Sequence, residues 1–116
     1  MRLADGLSAT RQARQYARLF GAQYELGGTT TADLELVVDE LVTNAVRHAA
    51  PPFELHLYHV DGAIRGHVSD GSSALPHINT DPDQWGGFGL RILNDTTTRW
   101  GTTPLQAGKQ IWFEIK

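Results

Sequence analysis

The chain has no cysteine, no long apolar run and no excess of basic residues, and each absence removes a class of protein. Without cysteine there are no disulfides, no zinc–thiolate sites and no thiol nucleophile, a composition that suits a reducing compartment. No apolar stretch approaches the roughly 18 residues of a membrane-spanning helix, and no secretory signal opens the sequence. The expectation is a cytoplasmic protein without membrane contact. Ten Lys and Arg against thirteen Asp and Glu give a formal net charge of −3 and a pI of about 5.9. That balance lacks the basic footprint on which counterion release depends, and it argues against direct binding of nucleic acid.

What is present is a globular composition. The 116 residues are 41% hydrophobic and 20% charged, with no internal repeat or low-complexity linker, which fits a single compact domain over residues 1–116. A domain of this size holds a core but no separate substrate module, so whatever it acts on comes to a surface cleft.

Periodicity and punctuation outline the elements. Ser8 to Leu26 reads as a helix carrying Ala13, Ala17, Leu19 and Phe20, ended by Gly27-Gly28. Thr29 to Thr31 offer N-caps to a second helix from about Ala32 to Ala49, which Pro51-Pro52 stops. Its Leu34, Val38, Leu41, Val42, Ala45 and Ala49 share one face at helical spacing. Phe53 to Val60 alternates as a strand, Asp61-Gly62 is a type I′ turn dipeptide, and Ala63 to Ser69 returns with Ile64, Gly66 and Val68 on one face. Gly71 to Gly87 is a long stretch without periodicity. A third helix starts near Gly87 and covers Leu90, Ile92 and Leu93. Two strands close the chain, one at Arg99-Trp100 or at Thr103 to Gln106, the other from Lys109 to Lys116. The expectation is an α+β fold, a two-layer sandwich with helices on one face of a mostly antiparallel sheet.

Three features can carry chemistry. Glu40 and Asn44 stand four residues apart, about 40° of helical rotation from one another, and Arg47 joins their stripe. A carboxylate and an amide so placed can meet one ligand, the carboxylate as a base and the amide oxygen on Mg²⁺. On pattern alone, though, this stripe lies opposite the main apolar face and is a solvated surface. Asp70 continues the parity of Ile64, Gly66 and Val68, so its carboxylate points toward the helix layer, where a desolvated charge needs a partner. It is placed to accept from a ligand amine, or to cap the Gly71-Ser72 turn. The glycines of Gly86-Gly87-Phe88-Gly89-Leu90, ahead of an apolar helix, allow close approach to a phosphate or make a plain hinge. His56 and His67 stand to face each other across the hairpin, while His59 has the wrong parity to join them on a metal. Each signal alone is weak; their order is not.

Glu40-Leu41-Val42-Thr43-Asn44-Ala45-Val46-Arg47-His48 resembles the N-box of GHKL (Bergerat-fold) ATP-binding proteins. Val68-Ser69-Asp70-Gly71-Ser72 is similar to the following G1 box, and Gly86-Gly87-Phe88-Gly89-Leu90 to the G2 box. They occur in the family's order, and the similarity covers about residues 8 to 116. Among GHKL proteins the chain resembles most the serine-kinase anti-sigma factors. The resemblance implies ATP and Mg²⁺ as cofactors, a sigma factor and a small antagonist protein as partners, and phosphorylation of a Ser or Thr of the antagonist; a homodimer is allowed. It implies Glu40 as general base, Asn44 as Mg²⁺ ligand and Asp70 as acceptor for the adenine amine. Gly87 and Gly89 would let the lid backbone wrap the phosphates, with Phe88 and Leu90 walling the site and Arg47, His48 and Ser72 close to the nucleotide. Ser72 and Ala74 replace two glycines of the G1 pattern, and Gln110 stands where many relatives place a nucleotide-seating Thr. The family's leading strand is hard to find in Met1 to Leu7. Two readings stay beside phosphotransfer: an ATP-sensing binding module, and a slow ATPase.

Overall fold

A computed structural model describes residues 1–72 and 89–116. Along the chain run α1 (Ser8–Gln23), α2 (Gly28–His48), β1 (Glu54–Val60), β2 (Ala63–Asp70), α3 (Gly89–Thr96), β3 (Arg99–Leu105) and β4 (Gly108–Ile115). The four strands form one antiparallel sheet in the order β1-β2-β4-β3. The expected α+β architecture is what folds.

Alternation on the strands decides which face meets the helices. Leu55 and Leu57 on β1, Ile64 and Val68 on β2, and Ile111, Phe113 and Ile115 on β4 are buried in one core with the helices. The opposite parity carries Tyr58, Arg65, His67 and Trp112, which stay exposed or half-buried. From α1 the core takes Ala9, Ala13, Ala17 and Phe20, and from α2 it takes Leu34, Val37, Val38, Leu41, Val42 and Ala45. Each large aliphatic side chain so buried contributes about 1.5–3 kcal/mol over its exposed state. That exceeds any propensity difference, so tertiary packing holds α2. No described helix is long and apolar enough to cross a membrane.

Several boundaries differ from those expected, for local reasons. Helix α1 stops at Gln23, not Leu26, because Glu25 turns to φ 53° and the Leu26 N–H donates back to the Gly21 carbonyl at 2.9 Å. Helix α2 starts at Gly28 with Gly27 as an extended N-cap that makes no side-chain bond, so Thr29 to Thr31 lie inside its first turn and do not cap it. The Asp61-Gly62 turn has both residues at positive φ, 51° and 77°, as type I′ requires. The two alternative positions for β3 are parts of one edge strand, where Pro104 lacks only a donor the sheet does not need. A rudiment of a leading strand does exist: Arg2 bridges Glu54, the Leu3 N–H donates to the Phe53 carbonyl at 2.8 Å, and Leu3 is buried.

Candidate functional site

Helix α2 lies between neighbours, packing against α1, α3 and β2. This position changes the reading of its polar stripe. Asn44, on the supposedly solvated side, is only 5% exposed. Glu40 is half-buried, His48 half-buried and Arg47 exposed. Burial pushes the Glu40 carboxyl above its ordinary value, the adjacent Asp39 charge adds to the rise, and Arg47 offsets part of it. A carboxylate made more basic in this way is better suited to accept a proton. The solvated-surface pattern therefore fails at Asn44, while Arg47 keeps to it.

The end of α2 and the end of β2 are tied together. The Gly71 N–H donates to the Ala50 carbonyl at 2.6 Å. A side chain at Gly71 would collide with the Pro51 carbonyl oxygen, so only glycine permits this approach. From the other side comes Gly108, at φ 145°, whose Cα lies so near the Asp70 carbonyl that a Cβ would overlap it. Asp70 is thus gripped between the exit of α2 and the start of β4.

The parity expected for Asp70 holds, and its carboxylate is buried with 6% of the residue exposed. The turn-capping reading of it is realised. Its Oδ1 accepts the Ser72 backbone N–H at 2.8 Å, which is the turn-capping role. Its charge meets a partner within the protein: Lys109 Nζ donates to Oδ1 at 3.0 Å and stands 2.9 Å from Oδ2. The Lys109 side chain is 1% exposed and the Asp70 side chain 4%. Reading the sequence missed Lys109, although a signal existed: it shares the inward parity of Ile111, Phe113 and Ile115. Gln110 shares the outward parity of Trp112 and Glu114, so the side chain brought to Asp70 is the lysine.

Of the glycine-rich segment, Gly89 opens α3 and Leu90 follows in it. Gly87 and Phe88 lie outside the described residues, as does the expected lid from Ser73 to Gly86. Helix α3 packs on α2 and buries Leu93. The first two boxes and the last two residues of the third, Gly89 and Leu90, thus lie on α2 and on the elements that pack against it. A separate concavity of about 320 Å³ lies on the outer face of the sheet, bordered by Tyr58, Arg65, His67, Arg99, Trp112 and Glu114. It contains none of the marked residues, and the sheet separates it from α2. His56 and His67 do face each other there, ring centres 4.8 Å apart, while His59 turns to stack on Tyr24.

The layered fold, with helices on one face of an antiparallel sheet, is that of a Bergerat-type domain. Residues 3–113 match the model of the histidine kinase-like ATPase domain, and the chain belongs to that family. Its fold is shared with part of the structure of the RsbU and RsbW domains of Rv1364c from Mycobacterium tuberculosis, at 20% identity and a TM-score of 0.78, over 100% of this chain and 31% of that one. The blue-light activated histidine kinase domain of Erythrobacter litoralis superposes with a TM-score of 0.58 at 24% identity, over 75% of this chain and 44% of that one. Histidine kinase AdeS of Acinetobacter baumannii gives 0.57 at 15%, over 74% and 46% respectively. No curated protein matches the chain in sequence.

Proposed function

We propose that the chain binds ATP with Mg²⁺ beside α2 and passes a phosphoryl group to a Ser or Thr hydroxyl of a small antagonist protein, so switching its hold on a second partner, a sigma factor. The observation that carries this reading is the convergence at Asp70: a buried carboxylate, fixed at a strand end that is bonded to the exit of the Glu40–Asn44 helix. The donor set fits the cofactors. An amide oxygen at Asn44 suits a hard cation such as Mg²⁺, and a carboxylate oriented at Asp70 suits an exocyclic amine.

ATP supplies the phosphoryl group and Mg²⁺ neutralises its charge. Asn44 would hold the metal side and Asp70 the adenine side, and Arg47, His48, Ser72 and, by the resemblance, the Gly87 to Leu90 segment would border the nucleotide. Glu40 takes the proton from the attacking hydroxyl, helped by the upward shift that burial gives it. The setting is a cytoplasmic one, and pairing of two copies is compatible with it.

Two measurements test the reading. Millimolar MgATP should raise the melting temperature, since a ligand bound only to the native state stabilises it by mass action. A folded protein with no thermal shift has no nucleotide site. Glu40→Ala should then lower phosphoryl transfer from radiolabelled ATP to antagonist proteins by about 10²- to 10⁴-fold, with MgATP binding retained. If the unaltered protein binds MgATP and transfers nothing, the non-catalytic module is the right description; if it only releases phosphate, the slow ATPase is.

A further inference from the structure

Charge is unusually placed at the corner where β2 ends and β4 begins. Asp70 and Lys109 are direct partners across the antiparallel ladder, and both side chains point to the helix side of the sheet. Two segments press on this pair through glycine: Gly71 against Pro51, and Gly108 against the Asp70 backbone. The Lys109 ammonium reaches both carboxylate oxygens, at 3.0 and 2.9 Å, while the Ser72 N–H adds a third contact on Oδ1. A carboxylate held by three contacts has one orientation, and its charge is balanced inside the fold.

We propose that Lys109 is the positioning residue for base recognition, its buried ammonium fixing and neutralising the Asp70 carboxylate so that a neutral adenine amine can bond to it. The inference rests on the nucleotide reading above. An unbalanced carboxylate in this enclosure would be a poor receiver for an uncharged base, because it would remain a desolvated anion after the base had bound. With the ammonium beside it, the site presents an acceptor without net charge. The orientation also matters: an exocyclic amine donates along a fixed direction, and a carboxylate free to rotate would meet it only part of the time.

The test measures binding, by calorimetry, of MgATP, MgGTP and inorganic tripolyphosphate to the unaltered protein and to Lys109→Met and Lys109→Arg. The Met variant should bind MgATP about ten-fold or more weakly, as loss of a charge-assisted bond implies. Its tripolyphosphate affinity should not change, so its preference for ATP over GTP shrinks. The Arg variant, which can bond both carboxylate oxygens, should recover much of that preference. A purely structural Lys109 would weaken all three ligands together, and that outcome overturns the proposal. A second measurement needs no substitution and covers a Met variant that fails to fold. In lysine-labelled protein, the Lys109 ammonium resonance should move on adding adenosine and stay still on adding tripolyphosphate. Saturation with adenosine without movement of that resonance rejects the role. If the unaltered protein binds neither MgATP nor adenosine, the nucleotide reading falls and this inference with it; if it binds both and Lys109→Met binds MgATP equally well, Lys109 alone is excluded.

Discussion

Strands β2 and β4 pair two oppositely charged couples, Asp70 with Lys109 and Arg65 with Glu114, and the pleat sends them to opposite faces of the same sheet. On the helix side both partners are enclosed, their side chains 4% and 1% exposed. On the outer side Glu114 is covered, with a side chain 3% exposed, but the arginines that cover it, Arg65 at 2.8 Å and Arg99 at 3.2 Å, stay more than half in water. One ladder thus builds a sealed pair and a solvent-facing one. The inner pair is far less exposed to water than the outer one, so the loss of one end is less readily compensated there. The outer cluster has bulk water and salt as substitutes.

Breaking the sealed pair should therefore produce the largest change. Asp70→Ala leaves the Lys109 ammonium without its carboxylate and should destabilise the fold by about 3–5 kcal/mol in urea titrations. The double variant Asp70→Leu with Lys109→Met should recover most of that stability, because two apolar side chains need no partner. Failure of the double variant to recover would mean that the pair is needed for folding itself. Success would show that the fold does not require the pair.

The outer cluster should respond less, and differently. Glu114→Gln should lower the melting temperature by less than Asp70→Ala, and 1 M salt should narrow the gap between variant and parent. Acid should act on the same group. Hydrogen bonds from Arg99, then Arg65, hold the Glu114 carboxyl below its ordinary value of 4.5. A carboxyl lowered in the folded state contributes stability above its unfolded value and loses it as pH falls through the folded one. The parent should therefore lose stability below about pH 4.5 more steeply than Glu114→Gln. Equal slopes would remove Glu114 from the acid response.

The smallest expected effect is also on the outer face. Burial first, and then the facing His56, hold His67 below its ordinary value of 6.5, with Glu54 partly offsetting them. The unfolded chain then takes up the proton more readily, so this contribution is complete above about pH 6.5 and fades as pH falls through that value. His67→Asn should flatten the dependence of melting temperature on pH between 7.5 and 5.5, by roughly a degree or two in a domain of this size. An unchanged slope would show that the histidine row carries no linked proton.

Much of the candidate site was legible because its residues lie in short stretches. Glu40 and Asn44 are one helical turn apart, Asp70 is fixed by the parity of its own strand, and the glycine-rich box announces a helix start. What escaped was the environment of each. Asn44 reads as surface until the elements around α2 are placed, since a helix wheel knows only one neighbour. Lys109 reads as the polar first residue of a strand until β4 is set beside β2.

The sequence by itself determined the element types, the type I′ hairpin, the inward parity of Asp70 and the order of the three boxes. All of these follow from backbone geometry that repeats within a few residues, with a period of 3.6 in helices and 2 in strands. Tertiary structure alone decided that β4 enters between β2 and β3, opposite Asp70, and that α2 is covered on more than one side. Those choices join residues 39 positions apart, Asp70 and Lys109. Such pairings depend on how the whole chain closes over its apolar surface, and no local periodicity records that closure.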